Sequence, residues 1–107
     1  MIRNARIQSA DIVTGSGGRL SAWLELDYGN GEIQGFGGYE LEPTAGPPIP
    51  FLRKCMEIAG VGRWKDLPGQ IVRVDVDEKA DRIECIGHIL ENIWFRPAGE
   101  SVPRDRC

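Results

Sequence analysis

The sequence predicts a mainly β protein of the α+β class, with a small, strongly coiled sheet or barrel and one short helix. Three observations support this prediction. Residues 19–28 alternate strictly between apolar and polar side chains, as a half-buried strand does. Asn30-Gly31 follows directly, and four glycines in residues 31–38 would let the next strand bend sharply. Residues 51–59 carry a helical apolar face between a proline and a glycine.

The composition is that of one globular domain. The chain has 107 residues, of which 41% are hydrophobic and 27% charged. A chain of this length and composition can form a single hydrophobic core. We expect a domain over residues 1–96 and a flexible tail over residues 97–107. The net charge of −3 gives no general attraction to nucleic acid. Because no segment resembles a signal peptide or a membrane span, we expect a cytoplasmic protein without a membrane partner.

The first hairpin is predicted around a glycine-rich connection. Residues 2–14 alternate loosely, and GSGG at 15–18 ends that strand. The second strand covers residues 19–28 and has two distinct faces. One face carries Leu20, Ala22, Leu24, Leu26 and Tyr28, and the other carries Arg19, Ser21, Trp23, Glu25 and Asp27.

The second hairpin is predicted from Asn30-Gly31, which favours a two-residue type I′ turn. Counting outward from that turn places Phe36 opposite Glu25, and Gly38 opposite Trp23. The two aromatic side chains would then be neighbours on the outer face, with the Trp23 indole covering Gly38. The glycines therefore indicate a bent strand.

The middle of the chain is predicted to contain the helix. Residues 43–50 form a proline-rich connector, and residues 51–59 form the helix. Residues 60–69 form a loop that Trp64 and Leu67 anchor to the core.

The C-terminal part is predicted to supply two more strands. The first covers residues 70–77, with valines on one face, and residues 78–81 turn the chain. The last strand covers residues 82–95, with a break near Glu91-Asn92. The predicted order is therefore three strands, one helix and two strands. A five-stranded Greek-key barrel of the OB type has this order. An SH3-like roll or an open α+β sheet fits the same element order and stays an alternative.

Three motifs carry a resemblance to known proteins. They are QGFGGY at 34–39, W-x-D-L-P-G at 64–69 and IGH at 86–88. Over about residues 5–96 the chain resembles a family of small, uncharacterised proteins encoded by bacteriophages and prophages. This resemblance implies a phage accessory setting and identifies no catalytic or binding residue. More loosely, the chain is similar to small phage OB-type single-strand-binding proteins.

Catalytic and metal-binding patterns are weak. His88 lies in the apolar context CIGHIL, with no nucleophile or acid placed beside it by local spacing, so a structural role, or a place at the edge of a binding face, is favoured over catalysis. Cys55, Cys85 and Cys107 contain no CxxC pair, which argues against a zinc site. Cys55 and Cys85 are predicted to be buried. We therefore expect no enzyme, no cofactor and no metal.

Two further patterns match site motifs only in part. In the acidic segment 75–84, Lys79 and Ala80 occupy positions where a calcium-binding loop needs an oxygen ligand and a glycine. A solvated turn is favoured there. The glycine clusters lack the spacing and the following helix of phosphate-binding loops, which favours hairpins.

Trp23 is the predicted centre of a binding surface, since with Phe36 it would present two rings where OB-type barrels bind ligands. The candidate binding residues are Trp23, Phe36, Arg19, Gln34, Glu25 and Asp27. Most of the charged residues on this face are acidic, so they would repel phosphates and favour a protein partner. The alternative is that the tail or the connector covers this face.

The sequence therefore favours a non-enzymatic binding protein that occupies a surface of a host or phage protein. One concrete version inhibits a host defence system in the manner of anti-CRISPR proteins. The alternative is an OB-type module that binds single-stranded nucleic acid. An unpaired strand edge would also allow two copies to form a homodimer.

Overall fold

The computed structural model describes residues 1–41 and 50–97, in which six antiparallel strands form one sheet and one α-helix packs against it. The strands are β1 (Ile2–Thr14), β2 (Leu20–Asp27), β3 (Ile33–Glu40), β4 (Ile71–Asp77), β5 (Arg82–Gly87) and β6 (Trp94–Phe95), and the helix is α1 (Phe51–Ala59). The strand order is β3-β2-β1-β4-β5-β6. The mainly β class and the helix between the third and fourth strands are confirmed. The prediction of five strands is wrong, and within these ranges no ladder closes the sheet into the predicted barrel.

Two predicted segments fall largely outside these ranges. Of the connector 43–50 only Pro50 is described, and of the tail 97–107 only Pro97. The predicted flexibility of the tail therefore stays a prediction.

β1 is shared by the two halves of the sheet. Residues 2–6 pair with β4, whereas residues 6–14 pair with β2. A bulge between Ile7 and Ser9 interrupts the second pairing. Because a bulge bends its strand and increases the local twist, β1 can curve around the core while it serves both partners.

The glycine-rich strand β3 contains a second bulge, at Gly38. Leu24 pairs with Phe36 before the bulge, and Ala22 pairs with Tyr39 after it. Gly38 is therefore the extra residue, with a φ of +84°. Side chains alternate along a regular strand, so positions 36 and 39 would otherwise lie on opposite faces. The bulge places both aromatic side chains on the inner face.

These two aromatic residues connect β3 to the helix. The ring centroids of Phe36 and Tyr39 lie 5.4 and 5.6 Å from that of Phe51, the first residue of α1. Phe95 of β6 joins the cluster at 6.1 Å from Phe51. Aromatic pairs at such separations add about 0.5–1.5 kcal/mol each beyond the area they bury. The cluster therefore joins three elements that are distant along the chain.

The predicted register of the second hairpin is wrong before the bulge. The loop has three residues, 29–31, closed by a hydrogen bond from the Tyr28 N–H to the Glu32 carbonyl at 3.0 Å. This extra loop residue shifts the pairing by one position. Phe36, predicted opposite Glu25 on the outer face, lies instead in the core and is 3% exposed. Beyond the bulge the predicted pairing is recovered.

The helix and the loop after it match the prediction. Pro50 precedes α1, and Gly60 ends it by donating its N–H to the Met56 carbonyl at 2.9 Å. In the following loop, Leu67 is fully buried and Trp64 is partly buried, so both anchor the loop to the core.

The predicted long strand over residues 82–95 is instead a hairpin. β5 ends at Gly87, and the chain returns through residues 88–93 so that Trp94 pairs with Gly87. The Arg73 side chain of β4 donates to two carbonyl groups of this loop, both at 2.7 Å. The predicted break near Glu91-Asn92 falls within this loop, but apolar residues such as Ile89 and Leu90 resemble a continuation of the strand in the sequence.

Gly37→Ala should strongly destabilise the protein. Gly37 has a φ of +137°, and a Cβ there would overlap the backbone carbonyl of Ala22. We expect the free energy of unfolding in urea to fall by at least about 2 kcal/mol. Gly62→Ala is the matched control, since a Cβ there meets no atom within 4 Å. The same loss in both variants would contradict the special role of the bulge.

Candidate binding surface

Trp23 lies on the outer face of β2 and is 42% exposed. Its ring packs over the backbone of β3, where a Cβ on Gly35 or Gly38 would lie 3.7 or 2.7 Å from the indole. The prediction that the indole covers Gly38 is confirmed. Since the glycines have no side chains, the ring rests on the sheet with much of its surface exposed to solvent.

The indole borders a groove of about 370 Å³ on the outer face, which we call the Trp23 groove. It is lined by Asp11, Val13, Trp23, Leu24, Glu25 and Gly35. Asp11 is the direct partner of Trp23 across the β1–β2 ladder, and Glu25 lies two residues along β2 on the same face. Val13 is 41% exposed. The groove thus combines an aromatic ring, an apolar side chain and two carboxylates.

The two carboxylates of the groove have no cationic partner among the residues that the structure describes. The Ser9 hydroxyl donates to Oε1 of Glu25 at 2.8 Å, and Asp11 makes no side-chain hydrogen bond with residues 1–41 or 50–97. Within the same ranges neither carboxylate forms an ion pair. The groove therefore has a negative potential beside an exposed aromatic ring.

Two of the predicted binding residues make structural contacts elsewhere. Asp27 forms an ion pair with Arg6 at 3.4 Å and accepts the N–H of Gly29 at 2.8 Å in the hairpin loop. Gln34 accepts a hydrogen bond from the Tyr28 hydroxyl and donates to a carbonyl of the β4–β5 turn at 3.0 Å. Neither side chain lines the Trp23 groove.

The remaining predicted residues divide between groove, core and turn. Glu25 lies beside Trp23 as predicted, whereas Phe36 is in the core. Arg19 is exposed just before β2, four residues and about 13 Å along the chain from Trp23. The structure therefore brings together only Trp23 and Glu25 of the predicted set.

Sequence reasoning missed Asp11 and Val13. Both follow from the register of the β1–β2 hairpin, in which Asp11 pairs with Trp23 and Val13 with Ser21. A connection of five residues, 15–19, does not define that register as a two-residue turn would. The alternation in residues 2–14 was the available indication that these side chains face outward.

His88 has the structural role that the sequence favoured. Its Nδ1 accepts the backbone N–H groups of Leu90 and Glu91 at 3.1 and 3.0 Å, which holds the loop after β5. Cys55 is fully buried, and burial raises the pKa of its thiol to about 12. The thiol therefore stays protonated at neutral pH, a state unsuited to nucleophilic attack.

The acidic segment after β4 forms a turn, as predicted. The Asp77 carboxylate accepts the backbone N–H groups of Ala80 and Lys79, and the bond from Ala80 contributes most to lowering the pKa of this carboxyl. In the part of the chain that the structure describes, no three His, Cys, Asp or Glu side chains are grouped to hold a metal ion. Nor does that part contain a helix of the length and apolarity needed to cross a membrane.

No protein-family model, curated protein or solved structure matches this chain.

The role of His88 can be tested with a pair of substitutions. His88→Leu removes the acceptor of two N–H groups and should lower the free energy of unfolding by about 1 kcal/mol. His88→Asn should retain most of the stability, since its Oδ1 can accept the same bonds. Thermal unfolding and amide exchange at Leu90 and Glu91 would measure the difference. Equal losses in the two variants would contradict this role.

Proposed function

We propose that this protein is a non-enzymatic binding protein that occupies a surface of another protein through the Trp23 groove. The observation that carries the proposal is an exposed tryptophan that rests on the backbone of β3 and borders a groove lined by two carboxylates, for which residues 1–41 and 50–97 supply no cationic partner. Tryptophan is enriched among the residues that dominate interface energies. A ring already held on the backbone loses little freedom on binding, which favours affinity.

The charge of the groove supports a basic protein partner. Asp11 and Glu25 add negative charge beside the ring, and the whole chain has a net charge of −3. Complementary charge steers association and excludes partners of like charge. Phosphate groups of a nucleic acid would be repelled at this position.

The phage resemblance of the sequence supports a setting for this activity. Proteins that process nucleic acids, including those of host defence systems, need basic channels to bind phosphates. An acidic groove with a central tryptophan can compete for such a channel. We therefore propose a phage accessory protein that inhibits a host defence or replication factor, in the manner of anti-CRISPR proteins.

An OB-type nucleic-acid-binding module is the second candidate. The order β3-β2-β1-β4-β5, with the helix between β3 and β4, agrees with a partly open OB-type barrel, and β3 and β5 approach each other. Trp23 also lies on β2, within the face on which OB folds bind. The two carboxylates beside the ring favour the first candidate.

Photo-crosslinking inside infected host cells tests the proposal. A photoreactive amino acid at position 13, in the groove, should capture a specific protein, and Trp23→Ala should abolish the capture. The matched control places the same group at Leu90, which is 85% exposed and does not line the groove. Capture of the same proteins from both positions would contradict the proposal.

The same protein samples distinguish the second candidate function from the first. Binding of a single-stranded oligonucleotide that weakens with salt and disappears in Trp23→Ala would favour the OB-type module. We expect no such binding at low salt.

A further inference from the structure

We infer that the Trp23 groove is a recognition site for an arginine side chain presented by a basic segment of the partner protein. This inference rests on the proposed function and names the chemistry of the partner at that same surface.

Two other aromatic rings each make a cation–π contact with an arginine of the same chain. The Arg3 guanidinium lies 3.8 Å from the ring centroid of Tyr28 and donates to the Glu32 carboxylate at 3.3 Å. The Arg73 guanidinium lies 4.9 Å from the ring centroid of Trp94. Each guanidinium is thus attracted by an aromatic ring, and the first is also bound by a carboxylate.

Trp23 has two carboxylates among the residues that line its groove. Asp11 lies directly across the ladder and Glu25 two residues along the strand, so a cation above the ring would lie near both carboxylates. Within residues 1–41 and 50–97, no arginine or lysine stacks on this ring. Asp27, the next acidic side chain along the outer face of β2, has an arginine partner in the chain.

The chemistry favours arginine over other occupants. A planar guanidinium can stack on the indole while its N–H groups donate to both carboxylates, whereas the compact, strongly hydrated ammonium of lysine cannot stack. A nucleobase could stack on the ring, but its phosphates would meet two carboxylates. Cation–π attraction to tryptophan is the strongest among the aromatic residues. The groove therefore selects an arginine-bearing segment.

Nuclear magnetic resonance titration of the full chain tests this inference. A hexa-arginine peptide should shift the assigned indole N–H signal of Trp23 and the backbone amides of Asp11 and Glu25. A hexa-lysine peptide should bind at least about threefold more weakly than hexa-arginine. An oligothymidylate should leave these signals unchanged. The signals of residues outside the groove show whether each protein sample is folded.

Charge-removing variants supply the decisive comparison. Asp11→Asn and Glu25→Gln should each raise the dissociation constant for hexa-arginine about threefold. Glu78→Gln removes the same charge from an exposed turn outside the groove and should leave the dissociation constant unchanged. An equal effect of Glu78→Gln would show that net charge alone attracts the peptide and would overturn the inference. An unshifted Trp23 indole, or a lysine peptide that binds as tightly, would also overturn it.

The outcomes also separate this inference from the proposed function. A specific cross-link at position 13 without any arginine effect on Trp23 would overturn the arginine site and leave the proposed function standing. An arginine-specific shift of Trp23 without a specific protein cross-link would support the site chemistry and contradict the proposed function.

Discussion

The extra residue at Gly38 is the constraint on which the rest of the structure depends. On the inner face it turns Tyr39 toward the helix beside Phe36, so that both rings contact Phe51. On the outer face the same glycine-rich backbone forms the surface on which the Trp23 indole rests. One backbone irregularity therefore brings two rings of β3 against the first residue of the helix and supports the exposed ring. In a regular strand Phe36 and Tyr39 would lie on opposite faces, and only one of them could reach Phe51, because side chains alternate.

The motifs that carry the phage resemblance serve mainly the fold. QGFGGY forms the bulged strand, and W-x-D-L-P-G supplies the buried Leu67 and the Gly69 N–H that donates to the Ile7 carbonyl at 2.7 Å. IGH places Gly87 beneath Trp94 and His88 at the loop after β5. The acidic side chains beside Trp23 belong to none of these motifs. A chain with the same motifs can therefore keep this fold and differ at the groove.

Elements marked by periodicity and by capping residues were predictable from the sequence, whereas strand registers and the residues that they bring together were not. The alternation in β2 and the proline and glycine around α1 follow from local rules, and the structure agrees with them. The register of the second hairpin depends on a single loop residue, and a strand shifted by one position exchanges its faces. That shift moved Phe36 from the predicted surface into the core. Asp11 reaches the groove only through its pairing with β2, which its own surroundings in the sequence do not reveal.

The most direct test of this account measures the contact between Trp23 and the bulge in solution. Nuclear Overhauser effects should connect the indole protons of Trp23 with the α protons of Gly35 and Gly38, and the ring current should shift the α protons of Gly38 strongly upfield. Effects between the rings of Tyr39 and Phe51 should accompany them. If the α protons of Gly38 are unshifted and the Trp23 ring instead contacts the ring of Phe36, the bulge is absent and the account is contradicted.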